Sequence, residues 1–196
     1  TVFPIDYQLR NANPDPAARE AMAKSHFHLF MSGVYFFPLF GGYLADRFFG
    51  KYRIIFWLSL LYCVGHACLA LFENSVTGFY TGLFLIALGS GGIKPCVSAM
   101  VGDQFTSENK HLVKKVFAIF YWSINFGSFF ASLFIPLALK KLGPAVAFGI
   151  PGILMFIATV IYWAGRRHYV VVPPTGRNPH SFLKVVLSAL KSPKQP

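Results

Sequence analysis

The sequence predicts an all-α polytopic membrane protein. Of its 196 residues, 55% are hydrophobic and only 13% are charged, whereas a soluble domain is usually about a quarter charged. The apolar residues also fall into runs of about 20 residues. That length is what a helix needs to cross a bilayer core about 30 Å thick. A soluble all-α protein is the less favoured alternative.

Five apolar spans, A to E, follow one another with short connections, so neighbouring spans are expected to be antiparallel. The spans run from about residue 21 to 45 (A), 53 to 72 (B), 78 to 101 (C), 114 to 139 (D) and 145 to 165 (E). We expect residues 1–20 to form an extracytoplasmic loop region, residues 21–165 a bundle of five helices, and residues 166–196 a cytoplasmic linker.

The last part of that linker carries a helical pattern. Residues 180–191 have apolar side chains spaced to lie on one helical face. This spacing is typical of a helix lying at the membrane surface. A plain linker between two membrane halves explains it equally well.

The distribution of Lys and Arg predicts the orientation. Twelve of them lie in the A–B loop, the C–D loop and the tail after span E, against five on the other side. Cytoplasmic loops carry the excess of positive charge, so these two loops and the tail are predicted to be cytoplasmic. The net charge of +11 is therefore explained by topology, and a nucleic-acid partner is not expected.

The three cysteines lie within spans and lack CxxC spacing, so neither a disulfide framework nor a metal site is predicted. We also find no nucleophile–base spacing and no phosphate-binding loop, so no enzyme and no bound cofactor are expected. The chain begins at Thr1 without an initiator Met and ends in a polar tail, which favours a fragment of a longer protein.

Lys94 lies inside span C, in the stretch ALGSGGIKPCVSAMVGDQF. At 1.5 Å per residue it is about 12 Å from the cytoplasmic end of the span. A lysine at a span centre costs about 2.5–3.5 kcal/mol to insert. All seven acids lie in loops or at span ends, which disfavours a buried ion pair within this bundle. The partner of Lys94 is therefore expected in a missing helix or an anionic ligand.

Other polar side chains are predicted near the same depth. Tyr35 on span A and Asn125 on span D are about 16 Å and 15 Å from the cytoplasmic ends of their spans. Tyr121 lies one turn from Asn125 on the same helical face, and His28 lies two turns from Tyr35. Polar groups at this depth turn toward protein or a water-filled cavity. His28 could exchange protons near neutral pH, although a lone histidine is more often a packing residue.

The A–B loop, GGYLADRFFGKYR, concentrates charge where two spans meet. Asp46 and Arg47 end span A, and Arg53 begins span B. Gly42 and Gly50 allow close helix approach and a tight turn. A charged cytoplasmic turn that only follows the positive-inside rule is the simpler interpretation of this loop.

Four of these stretches resemble motifs of one family. The loop GGYLADRFFGKYR is similar to the loop motif of the major facilitator superfamily in its proton-dependent oligopeptide transporter (POT/PTR) variant. HLFMSGVYFFPLFGGYLAD, GSGGIKPCVSAMVGDQF and FYWSINFGSFFASLFIP resemble that family's second, fourth and fifth helices, most closely those of bacterial members. Spans A to E would then be helices two to six of an N-terminal bundle. The family's first helix, with its ExxER motif, and its second six-helix half are not in this chain.

The resemblance implies a function and site residues. The function is proton-coupled symport of di- and tripeptides by alternating access, in the bacterial inner membrane, with protons as the coupling ion and no other cofactor. The implied partners are the peptide, the bilayer, the first helix and the C-terminal half. The implied substrate-binding residues are Tyr35, Lys94, Tyr121, Trp122 and Asn125; those of proton coupling are His28 and Lys94; and those of the gating loop are Gly42, Asp46, Arg47, Gly50 and Arg53.

Two alternatives remain open at this point. A relative that carries nitrate or another small anion would also use Lys94. A nontransporting membrane scaffold or a channel subunit belongs to a different class, and a channel would be expected to show charge rings or a filter loop, neither of which is evident.

Overall fold

A computed structural model describes residues 15–72 and 75–174. Five long helices in this part of the chain are apolar enough to cross a membrane, which agrees with the five predicted spans. They are α1 (Pro16–Leu44), α2 (Lys51–Leu71), α3 (Val76–Asp103), α4 (Val113–Lys141) and α5 (Pro144–Ala164). The helical pattern at 180–191 and most of the segment predicted as an extracytoplasmic loop, residues 1–14, lie outside the described residues.

Helix α1 begins before its apolar span and ends in a π-helical turn. Asp15 caps its N-terminus, with a carboxylate oxygen that accepts the Ala17 N–H at 3.1 Å, so the helix starts five residues earlier than span A. At the other end, residues Ala45–Phe49 are π-helical, and the N–H of Gly50 donates to the carbonyl of Ala45 at 2.9 Å. Gly50 has φ of 80°, a value that favours glycine, and α2 begins at the next residue.

Helix α3 is the centre of the packing, because glycines let two helices approach its backbone. A Cβ on Gly41 of α1 would overlap the Cα of Gly92 on α3. On another face of α3, a Cβ on Gly89 would come within 3.0 Å of the carbonyl of Leu58 on α2. Small residues at helix contacts allow such close packing in membranes. Helix α3 is therefore held between α1 and α2.

Two apolar clusters fill these contacts. One lies nearer the outer ends of the helices and contains Ala23, Leu69, Phe79 and Ile86. The other lies at the predicted cytoplasmic ends and contains Ala45, Ile54, Ile55, Cys96 and Met100. Because α2, α3 and the π-helical turn after α1 all contribute to the second cluster, it fixes the C-terminal end of α3 relative to the α1–α2 connection.

Helix α5 packs on α2 and is tied to it by a buried histidine. The His66 ring is buried, and its Nδ1 lies 2.8 Å from the carbonyl oxygen of Phe148 on α5. Because a carbonyl only accepts, Nδ1 is the donor. A Cβ on Gly152 would come within 2.7 Å of the His66 Cβ, so the side chain packs closely against α5. His66 therefore has a packing role between two helices.

Helix α4 stands apart from the other four. Every residue from 121 to 134 is exposed. Its partly buried residues lie near its two ends, at positions 113, 117, 120, 135, 138 and 139. Near the first end, the Phe117 ring packs on Phe105, with centroids 6.5 Å apart. An apolar helix exposed on all sides needs lipid or protein around it, so the middle of α4 has room for further helices.

We expect Gly41→Ala to destabilise the protein by about 1–3 kcal/mol, the usual cost of overpacking a close contact. The added methyl group meets the backbone of Gly92, which cannot move aside as a flexible side chain would. The midpoint of thermal unfolding of the purified protein in detergent measures the effect.

The neighbouring Gly42→Ala is the matched control. A Cβ at Gly42 meets nothing within 4 Å in the described chain, and alanine is the better helix former. Its thermal midpoint should equal or exceed that of the wild type. Equal midpoints for both variants would contradict the proposed close contact between α1 and α3.

Candidate substrate and gating sites

Lys94 projects from the middle of α3 as an exposed cation. It lies nine residues before Asp103, the last residue of the helix, which corresponds to about 14 Å along the axis. The ion pairs found among the described residues are Lys24–Glu20 and Lys51–Asp103, and neither involves Lys94. Within the part of the chain that the structure describes, no ion pair thus joins this cation to a carboxylate.

Tyr35 and His28 occupy a single face of α1. They are seven residues apart and therefore two turns apart on the same side of the helix. Both side chains are exposed, Tyr35 to 74%. The face of α1 that packs on α3 lies elsewhere and includes the buried Val34 and Gly41. The phenol and the imidazole are therefore accessible to a ligand or to another helix.

On α4 the predicted residues divide between two faces. Tyr121 and Asn125 are one turn apart, and the Asn125 Nδ2 donates to the Tyr121 carbonyl at 2.8 Å. Trp122 points about 100° away around the helix and stacks on Phe126, with ring centroids 4.9 Å apart. All three side chains are exposed. Tyr121 and Asn125 can therefore approach one ligand together more easily than either can with Trp122.

Three helices thus present the predicted substrate residues, but the described chain does not join them. No hydrogen bond, ion pair or ring contact links Tyr35, Lys94 and Tyr121 within residues 15–72 and 75–174. An ammonium group, phenols and a carboxamide suit a peptide chemically, because its carboxylate attracts a cation and its amides bind hydroxyl and amide groups.

An apolar groove of about 640 Å³ lies between α1 and α3 and contains none of these residues. Its walls include Leu29, Gly33, Phe36, Leu83 and Phe84. With almost no polar lining, it suits an apolar neighbour such as lipid or a helix, and it is a poor match for charged peptide termini. We therefore do not assign the groove to the substrate.

The residues predicted for gating lie around the π-helical turn. Arg47 packs its guanidinium on the rings of Tyr43 and Phe48, 5.6 Å and 5.4 Å from their centroids. Asp46 is exposed at the start of the turn, as is Arg53 in the first turn of α2. Gly42 has open space beside its Cα. The loop is thus compact in its backbone, with Arg47 packed on aromatic rings and Asp46 and Arg53 exposed.

An ion pair that the sequence did not predict lies next to this turn. Lys51 Nζ lies 2.6 Å from Asp103 Oδ2, and the two side chains are only 21% and 22% exposed. The pair joins the first residue of α2 to the last residue of α3. Both residues were part of the quoted motifs, but they lie 52 positions apart, so only the tertiary fold reveals that they meet.

Comparison with known proteins adds to this geometry. Residues 52–194 match the model of the POT family. The chain belongs to the POT family. It is 38% identical over 185 residues to solute carrier family 15 member 2 of Rattus norvegicus, covering 87% of this chain and 25% of the relative. It is also 38% identical over 186 residues to peptide transporter family 1 of Drosophila melanogaster, covering 88% of this chain and 25% of that protein.

Solved structures agree with this membership. The chain superposes with a TM-score of 0.91 on the crystal structure of the POT family transporter PepTSo, at 60% identity, covering 99% of this chain and 38% of that one. A peptide transporter POT in complex with alafosfalin is 31% identical with a TM-score of 0.75, covering 88% of this chain and 36% of that one.

These comparisons confirm the predicted fold class and family. The chain is a multi-pass helical membrane protein of a family of transporters rather than enzymes. It spans about a quarter of the length of the curated relatives it matches. The residues assigned to substrate, protons and gating remain predictions.

We expect Lys51→Ala or Asp103→Ala to destabilise the protein by about 1–3 kcal/mol, because each leaves a partly buried charge without its partner. The exchange of both residues, Lys51→Asp with Asp103→Lys, should recover part of the loss. Unfolding of the purified wild type, the two alanine variants, their double variant Lys51→Ala with Asp103→Ala, and the exchanged pair measures this. Additive effects of the two alanine substitutions in the double variant would show that the pair contributes nothing.

Proposed function

We propose that the complete protein imports di- and tripeptides with protons by alternating access. The observation that carries this proposal is the exposed Lys94 on α3, a cation at membrane depth with no described carboxylate partner, in a chain of the POT family. A cation held in this way can bind a negative group that arrives from elsewhere. A peptide carboxylate and an acid of the family's first helix are the two groups we propose.

The substrate would lie among α1, α3 and α4. Lys94 would bind the carboxylate, and Tyr35, Tyr121 and Asn125 would contact the peptide backbone and side chains. Their exposure supports such a role. Trp122 would border the site from the neighbouring face of α4, where it stacks on Phe126.

The exposure of the middle of α4 supports two further partners. A helix whose residues 121–134 are all exposed would be covered in the complete protein by the first helix and by the C-terminal half. In many transporters the substrate binds near the bilayer midplane between two repeats that rock against each other. We propose that arrangement here, with this chain supplying one side of the site.

Proton coupling would use Lys94 and His28. The ammonium would exchange its partner between the first-helix acid and the peptide, so that protonation of the acid frees Lys94 for the substrate. His28 is exposed and lies on the Tyr35 face, where it could exchange protons with the cavity. We expect no other cofactor.

We place the protein in a bacterial inner membrane, with the α1–α2 loop, the α3–α4 loop and the tail in the cytoplasm. The excess of Lys and Arg on that side supports this orientation. In it, Gly42, Asp46, Arg47, Gly50 and Arg53 would form a cytoplasmic latch between the two halves.

Peptide transport is favoured over the alternative functions. The curated relatives quoted above are named as a solute carrier of family 15 and a peptide transporter, and the solved relatives as POT transporters. A nitrate or other anion carrier would also use Lys94, but nothing specific in the chain favours it. The same holds for a scaffold or a channel subunit.

We expect Lys94→Ala in the full-length protein to abolish uptake of labelled dipeptide into proteoliposomes driven by a pH gradient. The variant removes the cation but leaves the glycine contacts of α3, so folding should survive. Lys110→Ala, which removes an exposed lysine from the α3–α4 connection, is the control and should transport normally.

Uptake by Lys94→Ala at the wild-type rate would refute the role of this residue. Uptake of nitrate without dipeptide by the wild type would instead favour the anion carrier. Absence of any gradient-driven uptake by the wild type would point to the nontransporting alternative.

We expect Asp46→Asn to shift the balance between inward-open and outward-open states by about fivefold or more, at the low end of typical coupling energies. Peptide affinity should change less, because Asp46 lies at the cytoplasmic end of α1, away from Lys94. Labelling of cysteine probes on the outer side measures the balance. Glu108→Gln, which neutralises an exposed acid in the α3–α4 connection, is the control, and equal labelling of all three proteins would contradict the latch.

A further inference from the structure

The segment that follows α5 turns back and contacts the C-terminal end of α3. We call residues 168–174 the exit segment. It follows a 3-10 turn at Gly165–Arg167, and the side chain of the residue after α3 forms hydrogen bonds to it. Gln104, the residue after α3, accepts the Val170 N–H with Oε1 at 2.9 Å and donates from Nε2 to the Val170 carbonyl at 3.0 Å.

Together with a further hydrogen bond, the pair to Val170 leaves no hydrogen of the Gln104 amide unused. The same Nε2 also donates to the carbonyl of Met100 at 3.0 Å, so both amide hydrogens of Gln104 are used. Pairing with the N–H and the carbonyl of one residue imitates the pairing of a neighbouring β-strand. It fixes the backbone of the exit segment whatever side chain stands at 170.

A cluster of three tyrosines fixes the same segment independently. The rings of Tyr162 on α5, Tyr169 of the exit segment and Tyr52 of α2 contact one another. The Tyr162 centroid lies 5.3 Å from Tyr169 and 5.1 Å from Tyr52, and the Tyr52 and Tyr169 centroids are 6.5 Å apart. The Tyr162 hydroxyl also lies 2.9 Å from the sulfur of Met100. The exit segment is therefore fixed against α2, α3 and α5 at one place.

That place is the Lys51–Asp103 ion pair. The side chains around one small void include both members of the pair and three valines of the exit segment, namely Lys51, Tyr52, Met100, Asp103, Val170, Val171 and Val172. Further along, a Cβ on Gly50 would come within 3.6 Å of Pro174. The exit segment thus covers both the ion pair and the glycine at which α1 turns into α2.

We propose that Gln104 is a positioning residue that seats the exit segment over the Lys51–Asp103 pair and so couples the chain leaving this bundle to the gating loop. Covering the pair with apolar valines removes water from it, and a pair with less water around it is stronger electrostatically. We call the fixed position of the exit segment over the ion pair the seat. The consequence for transport rests on the proposed function, whereas the seat does not.

The test compares Gln104→Met with wild type in the full-length protein, since methionine keeps the length of the side chain and removes its hydrogen bonds. Gln104→Asn, whose amide is one methylene shorter, is the second variant in case the first fails to fold. Ser107→Met, in the exposed connection after α3, is the matched control.

The first measurement is amide hydrogen exchange at Val170 without substrate. Loss of a hydrogen bond of ordinary net strength should speed exchange there by about fivefold in Gln104→Met, with no change in Ser107→Met. Unchanged exchange at Val170 in both Gln104 variants would overturn the seat. Because no peptide is added, this outcome is independent of whether the protein transports peptides.

The second measurement is the balance of open states by cysteine labelling, together with uptake kinetics. Gln104→Met should shift the labelling ratio and change kcat while KM for dipeptide stays within about twofold, because the seat lies at the base of α3 and away from Lys94. Faster exchange at Val170 with an unchanged labelling ratio would overturn the coupling and leave Gln104 with a structural role alone.

Discussion

The backbone contact of α3 with α1 and α2 is the constraint on which the rest of this chain depends. Gly41 and Gly92 leave no room for a Cβ between α1 and α3, and Gly89 leaves none toward α2. In a membrane the packing of small residues replaces much of the hydrophobic driving force of soluble cores. Because these contacts fix α3, they fix the direction of Lys94 at its middle and of Asp103 at its end.

The middle of α3 and its C-terminal end have different surroundings, and we propose that this difference separates the substrate site from the gate. At its middle, Lys94 is exposed and faces space that other helices or a ligand would fill. At its end, Asp103 is paired with Lys51 and covered by the exit segment. An exposed cation can exchange partners, whereas a covered pair holds two helices together. If the end of α3 at Asp103 is rigid, movement there would be transmitted along the helix to Lys94, and movement at Lys94 to Asp103.

Helix α4 shows most clearly that the fold is part of a larger one. Its sequence has the length and hydropathy of a span, yet residues 121–134 at its centre are all exposed in the described chain. The chain covers only 38% of the PepTSo chain that it resembles. We therefore propose that Tyr121 and Asn125 acquire neighbours from outside this chain in the complete protein, which would make the proposed substrate site a shared one.

The sequence by itself determined the five spans, the fold class and the family. These follow from properties that are local in the chain: apolar length and motifs of contiguous residues. The depths of Tyr35, Lys94 and Asn125 also need only the fixed rise of a helix.

Only the tertiary structure decided which distant residues meet. Lys51 and Asp103 lie in two quoted motifs, but their pairing depends on how α2 and α3 cross, which no periodicity encodes. The contact of Gln104 with Val170 spans 66 positions and requires the chain to turn back after α5. Such contacts are set by packing across the bundle. They cannot be predicted from the sequence because each residue, taken alone, resembles an ordinary polar or apolar residue near a helix end. Only the fold places its partner beside it.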